Sequence, residues 1–228
     1  MGRLHHLKET LPNNIEKSNN YNVEFIVLNY NSADKLDEWM KDNMMDHIET
    51  GKIVYYKMIE PEYFKMSHSK NMANRLGTGD LLFTLDADIF ILQDICRYCN
   101  EVFQEDRLLV DRNCGSICLF ADFFHKARGY DESMIGWGQE DKDFHDRCTK
   151  FLGMHGGKCF PNMFHTIEHS NDERVLYLNP KFKYRRGTNR HNKNIKENRT
   201  EESLKEINKD GYGCGIVYKN FSNIPIVL

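Results

Sequence analysis

The segment LLFTLDADIF, residues 81–90, decides how the rest of the chain reads. Residues 81–85 are a short apolar run of the kind that lies in the centre of a parallel sheet, covered on both faces. Asp86 and Asp88 follow at once and so fall at the carboxyl end of that strand, the edge where open α/β sheets bind ligands. Two carboxylates one residue apart can face the same ligand, one holding a divalent cation and the other a sugar or ribose hydroxyl. Oxygen ligands of this kind suit Mg²⁺ or Mn²⁺, which bridge to phosphate oxygens. Taken alone, the pair can equally be no more than a strand end.

Upstream the chain alternates. VEFIVLNY (23–30) and KIVYYKMI (52–59) read as buried strands. Between them Ser32 can cap a helix that carries Leu36, Trp39 and Met40 on one face. SHSKNMANRLG (67–77) reads as a helix with Ser67 as its cap and Gly77 as its stop. This alternation predicts an α/β fold, a mostly parallel central sheet with helices on both faces. The chain opens on a helix, LHHLKETL, where the pattern calls for a strand, so the first strand of the sheet is expected to be missing. Downstream, CGSICLFADFFHKARGY reads as strand then helix, and the end of the chain as strand and loop.

With 228 residues the chain is long enough for one domain, expected over 1–228 with 1–113 and 114–228 as its halves. A formal charge of -3 argues against binding nucleic acid through a bulk positive field. The late basic stretch KFKYRRGTNRHNKNIKENR is followed at once by acidic residues and reads as a solvated loop and helix face. No apolar run approaches the roughly 20 residues that span a bilayer. The expected location is cytoplasmic, peripheral to a membrane if one carries the acceptor. Seven cysteines, an odd number, read as reduced thiols. The spacing of Cys96, Cys99, Cys114 and Cys118 resembles a zinc site only loosely, because helix and strand replace the two tight knuckles.

Two further stretches carry chemistry. IGWGQEDKDF (135–144) sets Trp137 between two glycines, ahead of Glu140, Asp141 and Asp143 at a helix start. Acids in a first helical turn are favoured by the dipole, which explains neither Trp137 nor Gly136 and Gly138. An open indole beside carboxylates suits a sugar, with CH groups on the ring and hydroxyls on the acids. Asp141 could take a proton from such a hydroxyl, although a helix N-terminus lowers its pKa. FHTIEHS (164–170) holds His165, Glu168 and His169, the H-x-x-E-H pattern of inverted zinc peptidases. A peptidase would need a third ligand from Glu197, Glu201 or Glu202 and leaves the first two sites unexplained. His169 alone, as a cation ligand beside the D-x-D, explains more.

In this order the three sites resemble the catalytic domain of metal-dependent glycosyltransferases of the GT-A fold. The match is best to the β-1,4-galactosyltransferase group, with polypeptide N-acetylgalactosaminyltransferases and chondroitin-type polymerases more distant. It runs from Arg3 through the Lys70-bearing helix, the D-x-D, CGS and RGYDESMIGWGQED to His169, 28 residues beyond Asp141. The resemblance implies that Asp88 and His169 hold Mn²⁺ (or Mg²⁺) on the diphosphate of a UDP-sugar. It places Asp86 on the sugar or ribose, Arg3 and Lys70 on the donor, and Gly115 where the donor approaches the backbone. Trp137, Gly138 and Glu140 would hold a saccharide acceptor, and Asp141 would be the base of an inverting transfer. Residues 170–190 resemble a lid. Thr166 stands where galactosyltransferases use a methionine metal ligand. The alternatives are a carbohydrate-binding module without turnover and the zinc peptidase.

Overall fold

α1 (Leu4–Lys17) leads to β1 (Phe25–Tyr30), and α2 (Leu36–Asn43) with α3 (Met45–Glu49) crosses back to β2 (Ile53–Met58). β1 and β2 pair in parallel from Phe25↔Ile53 to Tyr30↔Met58, as a strand–helix–strand unit requires. The structure, a computed structural model, describes residues 1–102, 109–112, 115–158 and 162–228. α4 (Met66–Leu76) packs on β1 and is followed by β3 (Leu81–Phe83), β4 (Ile89–Ile91), α5 (Ile95–Val102), β5 (Leu109–Arg112), β6 (Ser116–Phe120) and α6 (Ala121–Lys126). α7 (Glu140–Asp146) runs into a π-helical turn over Arg147–Phe151, then β7 (Gly156–Lys158) and β8 (Phe164–Thr166). α8 (Asn171–Val175), α9 (Arg185–Glu197), α10 (Glu201–Glu206), β9 (Ile216–Lys219) and β10 (Pro225–Val227) complete the chain.

The α/β class holds, with a different strand arrangement. The strands form sheets β1-β2-β9-β10, β3-β6-β5-β7 and β4-β8. The apolar run expected at the centre of a parallel sheet is β3, an outer strand antiparallel to β6. Only the β1–β2 and β5–β7 ladders are parallel among the described strands. A three-residue apolar strand fits a central or an outer position equally, so its pattern could not decide its neighbours. The two expected halves interlock, because β3 pairs with β6 and β2 with β9.

Two helix caps also differ. α2 begins after Lys35 and α4 after Lys65, neither with a side-chain cap. The Ser32 hydroxyl instead accepts from the Gly2 amide at 2.7 Å, and Ser67 is buried inside its helix. The expected faces stand, with Leu36 and Met40 buried over β1 and β2 and Trp39 packed beside them. Phe124, Tyr130, Phe144 and Cys148 form a second buried cluster under β6, so α7 is anchored by Phe144. Each such ring is worth roughly 1.5–3 kcal/mol of burial. Cys96 and Cys99 lie on α5 and Cys118 on β6; Cys114 is outside the described residues.

Candidate active site

α4 buries a polar face: Ser67, Ser69, Lys70, Asn71 and Asn74 are all inside. Such a face needs partners, and it has them. The Asn71 amide donates to the Tyr130 carbonyl and to Glu132, both at 2.8 Å, and Asn71 Oδ1 accepts from the Tyr130 amide at 2.7 Å. Asn74 donates to Thr84 Oγ1 at 3.0 Å. The helix is thus tied both to the chain entering the D-x-D and to the chain entering α7. Lys70 lies between them, with Nζ 2.5 Å from Asp141 Oδ1, 3.7 Å from Glu140 Oε1 and 5.3 Å from the Tyr130 ring centre.

Asp86 acts on the same pair. Burial opposes the charge on Lys70, but Asp141, Asp86 and Glu140 outweigh it and hold the ammonium well above the ordinary lysine value. For Asp141 burial dominates. Lys70 works against that burial, while Glu140 and Asp86 add to it, so the carboxyl sits well above its ordinary 3.8. This reverses the expectation of a lowered pKa from the helix N-terminus. Partial charges at a helix end act weakly compared with desolvation beside two further carboxylates.

Asp88 turns the other way. Asp86–Ile89 is a tight turn, closed by the Ile89 amide on the Asp86 carbonyl at 3.1 Å. β4 then pairs with β8, Ile89 opposite Thr166, and the Ile167 amide donates to the Asp88 carbonyl at 2.8 Å. This pairing brings His169 Nε2 to 2.8 Å from Asp88 Oδ2. His169 Nδ1 and Thr166 Oγ1 are buried without a partner. A carboxylate and an imidazole at ligand-to-ligand spacing, with an unused hydroxyl on the adjoining strand, fit a divalent cation such as Mn²⁺ or Mg²⁺. The H-x-x-E-H pattern is not helical: His165 lies on β8 opposite Phe90, their ring centres 6.1 Å apart, and Glu168 is exposed. The zinc-peptidase geometry is thereby lost.

The Trp137 loop is shaped by α9. A Cβ on Gly136 would come within 2.8 Å of Thr188, and one on Gly138 within 2.9 Å of Asn189. Both glycines also have positive φ, 65° and 101°. Asn192 donates to the carbonyls of Ile135 (2.9 Å) and Gly138 (2.8 Å) and accepts from the Ile135 amide (3.1 Å). The stretch read as a solvated helix face therefore buries Thr188 and Asn192 against the motif; their i,i+4 spacing was the available signal. Trp137 is half-buried rather than open, and the Arg174 guanidinium stands 5.9 Å over its ring. Arg174 belongs to α8, a short helix within the 170–190 segment read as resembling a lid.

Arg3, at the start of α1, bonds Glu173 of α8 at 2.6 Å, and His5 reaches the same oxygen at 2.8 Å. Burial, then His5 and Arg3, push the adjoining His6 imidazole below its ordinary 6.5. Arg3, Lys70, Asp86, Asp88, Trp137, Gly138, Glu140, Asp141 and His169 all line one cleft of about 1830 Å³. That exceeds the ~300–1,000 Å³ of an ordinary small-molecule pocket. The outer strands β1 and β3 line it too. Gly115 heads β6 and is not among the lining residues described.

Residues 107–169 match the family described as the N-terminal domain of galactosyltransferase. That span holds Gly115, Trp137, Gly138, Glu140, Asp141 and His169. Among solved structures, the catalytic domain of Drosophila β-1,4-galactosyltransferase 7 in complex with xylobiose aligns over 78% of this chain and 82% of that chain, at 14% identity and a TM-score of 0.45. A mutant of the Drosophila enzyme in complex with manganese, UDP-Gal and xylobiose aligns over 73% of this chain and 79% of that chain, at 15% identity and a TM-score of 0.43. No curated protein matches the chain.

Proposed function

We propose that the chain is a metal-dependent, inverting glycosyltransferase of the GT-A type. It moves galactose, N-acetylgalactosamine or a similar hexose from a UDP-sugar to a saccharide hydroxyl. The observation that carries this reading is the convergence on one cleft of Asp141, with its raised pKa, and the Asp88–His169 pair.

Asp141 accepts the proton of the acceptor hydroxyl as that oxygen bonds to the anomeric carbon. The bond to UDP breaks, and the departing diphosphate takes its electron pair. A Mn²⁺ ion held by Asp88 and His169 would offset the charge gathering on that diphosphate. Lys70 stays protonated, fixes the direction of the Asp141 carboxylate and sets its basicity against Asp86 and Glu140. Asp86 and Arg3 are assigned to the donor. Trp137, Gly138 and Glu140 are assigned to the acceptor, and a sugar stacking on the covered indole face displaces Arg174.

Product stereochemistry by NMR tests the mechanism, since a retained anomeric configuration rules out a single displacement by Asp141. Calorimetric titration of UDP with and without Mn²⁺ tests the metal–diphosphate site.

A further inference from the structure

We propose that His5, His6 and Glu173 form a second cation site, of the Zn²⁺ class, that clips α8 to the first turn of α1. One ligand atom from each of the three lies within 4.8 Å of the others. His5 Nε2 and His6 Nε2 stand 2.8 and 3.8 Å from Glu173 Oε1. These values straddle the roughly 3.3 Å expected between two ligands of a tetrahedral zinc ion with bonds near 2.0–2.1 Å.

A plain ion pair accounts for only part of this arrangement. Arg3 alone, 2.6 Å from the same oxygen, neutralises Glu173. His6 is a buried side chain, 4% exposed, whose Nδ1 has no partner, and 3.8 Å is too long for its Nε2 to hydrogen-bond Glu173. Its Nε2 is left with no hydrogen bond to Glu173, and a cation held there would give the ring a directional partner on that nitrogen. Two imidazoles and one carboxylate are a donor set that Zn²⁺ accepts with a fourth position left to water. The His5 side chain, 59% exposed, gives the ion an entry path from solvent. The site is separate from the Asp88–His169 pair, although the His6 and His169 rings lie 5.4 Å apart.

Arg3 sets the condition for occupancy. A cation on Glu173 Oε1 takes that oxygen from the guanidinium, which keeps only the Glu173 carbonyl, 3.3 Å from Nη2. Arg3 lines the large cleft, so filling the site also loosens a cleft residue.

The test is calorimetric titration of Zn²⁺ into the chelator-treated chain, with Co²⁺ absorption as a second readout of coordination. Zn²⁺ should bind the unmodified chain, and one ion per chain should still bind in the double variant Asp88→Asn/His169→Asn, which removes the other cation pair. It should weaken at least about tenfold in Glu173→Gln and in the exposed-site variant His5→Ala, and tighten in Arg3→Ala. Circular dichroism of each metal-free variant checks that the fold is intact. Full affinity in Glu173→Gln, loss confined to the double variant, unchanged or weaker binding in Arg3→Ala, or no Zn²⁺ binding to the unmodified chain would each overturn the proposal.

Discussion

Two clusters of buried charge flank the segment from Asp131 to Arg147, and they are built in opposite ways. In the first, Asp131 and Asp143 meet Arg147 and Arg199. Arg147 bonds Asp143 at 2.8 Å and the carbonyls of Ala127 and Gly129 at 2.6 and 2.7 Å. Arg199 bonds Asp143 at 2.7 Å and also reaches Asp131. Two carboxylates balance two guanidinium groups. Burial opposes the charge on Asp131, yet Arg199 and Ser133 hold its carboxyl below the ordinary value. In the second cluster, Asp86, Glu140 and Asp141 share Lys70, and the carboxyl of Asp141 is pushed up. Balanced charge with saturated hydrogen bonds fixes a fold. Surplus charge facing a cleft is where proton transfer becomes available.

The contrast can be broken most sharply at Asp141. Asp141→Asn should lower transfer by about 10²–10⁴-fold, the usual worth of a general base, with UDP affinity by calorimetry left nearly unchanged. Parallel loss of UDP binding and of thermal stability would make Asp141 as structural as Asp143. On the balanced side, Arg147→Met leaves a buried carboxylate uncompensated and should cost about 3–5 kcal/mol in denaturant unfolding. A change near zero would mean that the saturated network does not hold the fold.

Smaller effects sharpen the comparison. Asn192→Ala removes the clamp on the Trp137 loop and leaves backbone groups unpaired, about 1–3 kcal/mol. Steady-state kinetics should show a higher acceptor KM with a smaller change in kcat. The two clusters also respond to pH with opposite sign. The raised Asp141 must be ionised to act as base, so activity should fall with decreasing pH at a point above the ordinary 3.8 of an aspartate. In Lys70→Met that acid limb should move higher still, because the cation favouring the carboxylate is gone. Asp131, held low, contributes stability that is present above its ordinary 3.8 and lost as pH falls through its folded value. Asp141 contributes the reverse, stability present below 3.8 and lost as pH rises through its raised value. Urea titrations across the acid range, with and without Asp141→Asn, separate the two.

Much of the site was legible locally. Asp86 and Asp88 sit just beyond β3, Glu140 and Asp141 open α7, and all four line the cleft as their positions along the elements implied. Residues acting across long separations were not legible. Glu173 and Arg174 look like ordinary polar residues on a short helix, and no local pattern marks them as partners of Arg3 or Trp137; the i,i+4 spacing of Thr188 and Asn192 marks a buried face without saying what it covers. Ser32 and Ser67 failed as caps for the same reason, since packing with Gly2 and inside α4 claimed them first.

By itself the sequence determined the alternation of strands and helices up to β3 and which carboxylates stand at element ends, because apolar spacing and terminus chemistry act over a few residues. Only the tertiary structure decided how β3 pairs, which face of Trp137 is covered and on which side of its ordinary pKa Asp141 lies. Burial and electrostatic interaction sum over groups as distant in the chain as Lys70, Asp86 and Asp141, and no local rule contains that sum.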